Sequence, residues 1–63
     1  MADPNVLVEL DRRIAAVREN IRTLTEQAAA FSGASDEERV ATRIAEQEDL
    51  LAKLVKERAA AAR

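Results

Sequence analysis

Eight apolar residues in succession, spaced three and four apart, constrain this chain more than any other feature. Leu7, Leu10, Ile14, Val17, Ile21, Leu24, Ala28 and Phe31 step by three, four, three, four, three, four and three. A half-buried strand needs a period of two. The mean period here is that of an α-helix with one narrow apolar stripe, which is the seam of a coiled coil. Asp3 stands before the run as an N-cap, and Pro4 follows as the first helical residue, where its missing N–H costs nothing. A helix from Pro4 to about residue 32 is expected, roughly 43 Å long.

The run ends at Ser32-Gly33-Ala34-Ser35, the one place where the chain can turn. Gly33 is the only glycine. It stands where a left-handed residue closes a helix and a Cβ is unwelcome. Ser35 then opens a capping box with Glu38, and Asp36, Glu37 and Glu38 place negative charge on the positive end of the helix dipole. The spacing predicts a second helix over about 36–62. Its seam is Glu37, Val40, Ile44, Gln47, Leu51, Leu54, Arg58 and Ala61.

A stop and a start this close together fold two helices back on each other, and the turn sets their register. If Ala28 faces Val40, then Leu24 faces Ile44, Ile21 faces Gln47, Val17 faces Leu51 and Ile14 faces Leu54. Leu10 then faces Arg58, and Leu7 faces Ala61. Flanking charges agree with this register, since it sets Arg18 beside Glu48 and Arg13 beside Glu57. Two layers are polar. Gln47 in the seam either fixes register or leans to the edge, and leaning is the ordinary reading. Arg58 is read as the mark of a frayed open end.

A hairpin buries each helix on one side only, which is thin for 63 residues, so a second stripe matters. On helix 2 the next positions along read Ala41, Ala45, Glu48, Ala52, Val55, Ala59 and Ala62. The matching flank of helix 1 carries Val8, Asp11, Ala15, Arg18, Arg22, Thr25 and Ala29. Val8, Ala15, Ala41, Ala45, Ala52, Val55 and Ala59 are therefore the candidate face for a second copy or for another helical protein. The competing explanation is that alanine, the best helix former, simply fills exposed positions. Leu50 lies outside the seam on the opposite, more polar flank and offers a second direction for such a face.

Composition narrows the functional classes. Cysteine, histidine, tyrosine and tryptophan are all absent, so there is no thiolate or imidazole for zinc and no disulfide. Neighbouring carboxylates such as Glu37-Glu38 and Glu48-Asp49 point about 100° apart on a helix and serve as caps and solvated face. No glycine-rich phosphate loop is present. No catalytic, cofactor or metal residue is assigned, and an enzyme is not expected. Ten basic against twelve acidic residues give a net charge of −2, with no pull toward nucleic acid or an anionic membrane. No apolar run approaches the ~20 residues of a membrane span, and the first residues lack the pattern of a signal peptide. A cytoplasmic setting is the default. Fourteen alanines, and eight arginines against two lysines, suit a GC-rich bacterial genome.

Nucleic acid remains the rival partner, through Arg12, Arg13, Arg18 and Arg22 on helix 1. Glu9, Asp11, Glu19 and Glu26 are interleaved with them, and there is no exposed aromatic platform for stacking bases. In length and layout the hairpin resembles the Rop family of plasmid RNA-binding regulators. That resemblance implies RNA bound by basic residues and an exposed aromatic of helix 1. The arginines are in place and the aromatic is not. Likeness of layout does not by itself transfer a function. The sequence thus predicts an all-α chain: an antiparallel two-helix coiled-coil hairpin, pairing as a homodimer into a four-helix bundle. Its expected role is protein–protein interaction, as scaffold, adaptor or regulator.

Overall fold

The structure, a computed structural model, describes residues 3–30 and 34–63, the side chains of 34–36 excepted. It is all-helical. α1 spans Pro4–Ala30 and α2 spans Ala34–Ala61, and the two pack against each other as a hairpin. Phe31, Ser32 and Gly33 lie outside the described residues, as does the Ser35 side chain, and with them the glycine stop and the capping box. α2 begins at Ala34, two residues earlier than the spacing predicts, and ends at Ala61.

The start of α1 has the expected cap. The Asp3 carboxylate accepts from the Asn5 N–H at 2.8 Å, and the Asp3 carbonyl accepts the first helical bond from the Leu7 N–H at 3.1 Å. One donor that a helix leaves without an internal partner is thereby satisfied.

Burial follows the seam residue by residue. Leu10, Ile14, Val17, Val40 and Leu54 form the core, each only 6–7% exposed. Leu7, Ile21, Leu24, Ala28, Ile44, Gln47, Leu51, Arg58 and Ala61 are half-buried, and the other side chains among the described residues are exposed. Glu37 is the one described seam residue of α2 left in water, as a carboxylate without a buried partner should be. Leu10, Ile14, Val17 and Leu54 form a continuous cluster, joined by Ile21, Leu51 and Ala61.

Each buried aliphatic side chain stabilises by about 1.5–3 kcal/mol, so the hairpin depends on a short list of residues. The molecule is a rod of 50 × 14 × 10 Å. Its radius of gyration of 14.6 Å exceeds the roughly 10.6 Å of a compact chain of this length. A rod two helices thick has surface and little interior, so any function must be carried by its flanks.

Candidate interaction surface

The two polar seam layers show how the flanks are used. Gln47 stays half-buried and reaches across to α1, where its Oε1 accepts from Asn20 Nδ2 at 3.3 Å. The amide is thus held at the rim of the seam rather than released into solvent. A shallow groove of about 440 Å³ lies along this rim, lined by Asn20, Thr23, Leu24, Arg43, Glu46 and Gln47.

Arg58 departs from its expected role. It lies within α2, not in a frayed end, and its guanidinium Nε donates to the Asp11 carboxylate on α1. The hydrogen bond to Asp11, and then its charge, raise the pKa of Arg58 above the ordinary arginine value. The aliphatic stem of an arginine can cover apolar surface while its head turns to the edge. A seam position in the same layer as Leu10 uses that property to tie the open end of the hairpin.

The cross-helix pairs expected from the sequence are not the ones formed. Arg13 pairs with Glu9 on its own helix at 3.4 Å, not with Glu57. Arg18 makes no ion pair with Glu48 among the described residues. Arg22 pairs with Glu26 at 3.5 Å. These are neighbours four apart on one helix face, a spacing at which opposite charges meet. Arg12, Arg13, Arg18 and Arg22 are all exposed, and two of the four face a carboxylate of their own helix.

The candidate face lies on the flank beside the seam. Ala15, Ala41, Ala45, Ala52 and Ala59 are exposed, as are Val8 at 51% and Val55 at 44%. Exposed valine is not explained by helix propensity, since β-branched residues are poorer helix formers than alanine, lysine or glutamate. Leu50 is 39% exposed and shares a groove of about 470 Å³ with Asp49, Ala52, Lys53 and Lys56. Val6, also exposed, sits at the open end of the rod and was not singled out by the sequence pattern. Among the described residues no group of three metal-ligating side chains converges, and no helix is long and apolar enough to cross a membrane.

No protein family, curated protein or solved structure matches this chain.

Proposed function

We propose that the chain is a non-enzymatic protein–protein interaction module of the cytoplasm, a scaffold, adaptor or regulator that acts as a homodimer. Two coiled-coil hairpins pair through the Val8–Ala15–Ala52–Val55 flank into a four-helix bundle. The observation that carries this reading is the pair of half-exposed valines, Val8 and Val55, set among alanines on one flank of a hairpin whose core, among the described residues, is a single seam. Small side chains let a second pair of helices approach closely, and the valines supply the apolar area that alanine lacks.

The arginines of α1 argue less strongly for RNA. Arg13 and Arg22 already face Glu9 and Glu26, and the chain as a whole is acidic. An RNA-binding face needs an uncompensated basic field.

The test is solution mass by light scattering over a hundredfold range of concentration. A species of twice 6.9 kDa, converted to single chains by Ala52→Glu, supports the reading. A folded single chain at every concentration refutes self-association. Retention of RNA that falls steeply with salt, and is lost on changing Arg12, Arg18 and Arg22 to Glu, would replace the reading with the nucleic-acid one.

A further inference from the structure

The orientation of that dimer can be read from charges outside both seams. With the hairpin seam at heptad positions a and d, the candidate flank occupies b and e. Position f then runs along the outer edge of the flank on each helix. On α1 the f row reads Asn5, Arg12, Glu19 and Glu26, and on α2 it reads Thr42, Asp49 and Lys56. Arg12, Glu19, Asp49 and Lys56 are exposed, and none of the four takes part in an ion pair among the described residues. Asp49 and Lys56 line one groove with Ala52.

We infer that the occupant of this flank is a second copy of the chain, laid head to tail about a two-fold axis that crosses α1 at Ala15–Ala16 and α2 at Ala52–Lys53. The inference rests on the self-association proposed above and adds its geometry. A two-fold axis makes contacts reciprocal, so a residue facing another is faced by it in return. With the turns at opposite ends, α1 lies along α1 of the second copy and α2 along α2. Arg12 then faces Glu19 of the second copy, and Asp49 faces Lys56 of the second copy, each pair occurring twice. The α1 pairs and the α2 pairs call for an axis at the same height on the rod, although nothing in one helix requires that of the other.

The alternative places the turns at the same end, with α1 along α2 of the second copy. There Arg12 meets Lys56 and Glu19 meets Asp49, four like-charge contacts. Within the flank, either orientation gives Arg22 a carboxylate, Asp11 in one and Glu48 in the other, so the outer rows decide. Charges flanking a helical seam set partner and orientation in this way. Exchanging four repulsive contacts for four attractive ones favours the head-to-tail form by about 15-fold at low salt, taking each exposed pair at the low end of its usual range.

Area supports a second copy as the occupant. The chain exposes 4920 Å², whereas a compact monomer of its mass exposes about 4000 Å². The excess of about 900 Å² matches the roughly 800 Å² that each partner buries in a standard interface. The axis also passes beside Ile14 and Leu54, in the best-packed stretch of the hairpin, which gives the interface a rigid centre.

The test uses the absence of cysteine. In the head-to-tail dimer residue 52 lies beside its own copy, and so does residue 15. In the other orientation residue 15 lies beside residue 52. Ala52→Cys and Ala15→Cys are made separately, one of them carrying a tag, and oxidised in a glutathione buffer alone and as an equal mixture. Expected are self-linked dimers from each variant alone, and self-linked species predominating in the mixture. A mixture dominated by the mixed species, or a dimeric mass with no cross-link, overturns the geometry while leaving self-association standing. A single-chain mass removes the self-association itself. As an independent arm, Asp49→Lys raises the dissociation constant about 4-fold at low salt and adding Lys56→Asp restores it. A double variant as weak as the single one overturns the assigned pairing.

Discussion

Replacing Gln47 by leucine is expected to stabilise the hairpin, although it removes the only side-chain amide bond between the helices among the described residues. Gln47 is half-buried in the seam opposite Ile21 and next to the half-buried Leu24. Leucine has nearly the same length and is apolar, so it can fill that layer without a new void. Full burial of a leucine is worth about 1.5–3 kcal/mol, and a half-buried site returns about 1 kcal/mol. Leucine also loses less rotamer freedom than glutamine on ordering, which adds about 0.5 kcal/mol. Against this stands the 3.3 Å bond from Asn20. Asn20 is exposed, so its amide returns to water and the loss is near the low end for a neutral bond, about 0.5 kcal/mol. The net expectation is a gain of about 1 kcal/mol, or a Tm higher by about 4–8 °C in a domain this small. Thermal melting by circular dichroism, at matched concentrations of both chains, reads it directly. A lower Tm would mean that the amide pair contributes more than burial does. A broader melt at unchanged midpoint would mean that it holds register. Either result sinks the reasoning.

Two further outcomes follow from the ends of the helices. Asp3→Ala removes the acceptor for the Asn5 N–H and should cost about 1 kcal/mol, while Asp3→Asn, which keeps an acceptor, should cost a few tenths; urea melts distinguish them. Asp11→Asn breaks the pair with Arg58, whose two side chains are 43% and 54% exposed. Both side chains stand largely in water, so a small loss of stability is expected, fading as salt is raised. Asp11 raises the pKa of Arg58, and a raised basic group stabilises the fold at every pH below its unfolded value and loses that effect only as pH climbs through the folded value. Arginine titrates above about 12, so the difference between wild type and Asp11→Asn should stay constant from pH 7 to 9. A difference that shrinks across that window contradicts the assignment.

The seam was legible because a two-helix rod offers only one line of burial. Any residue off that line meets water, so the three-four spacing of Leu7 to Ala28 and of Val40 to Ala61 coincides with what is buried. The choice of charge partners was not legible. Heptad position alone makes Glu57 as good a partner for Arg13 as Glu9, and the pair that forms is the one four residues back on the same helix. Arg58 was misread because a charge in a seam suggests an unravelled end. Its stem is long enough to stay in the seam while its head meets Asp11 on the flank. The second face was legible only as a pattern. Ala52 satisfies helix propensity equally well against water or against another helix, so the bias toward an interface rests on Val8 and Val55.

The Gln47 layer also divides the rod, and this bears on where it opens. Leu10, Ile14, Val17 and Leu54 pack as one cluster that runs through the Arg58 layer, where Leu10 sits and beyond which Ala61 joins, up to Ile21 in the Gln47 layer. Val40 is equally buried but belongs to the turn side of Gln47, outside that cluster. A polar layer weakens coupling between the apolar segments on either side, so each segment can open at its own free energy. Hydrogen exchange should therefore be slowest at the amides of Ile14 to Ile21 and of Leu51 to Arg58, which contain or border the cluster. It should be faster at Leu24 to Ala28 and at Val40 to Ile44, although those residues lie no nearer to a chain terminus. Gln47→Leu fuses the segments and should slow the second set toward the first. Head-to-tail pairing sharpens the contrast, because its axis falls on the cluster and its protection grows with concentration there first. Uniform exchange along both helices, unchanged by Gln47→Leu, would show a single cooperative rod in which the amide layer divides nothing.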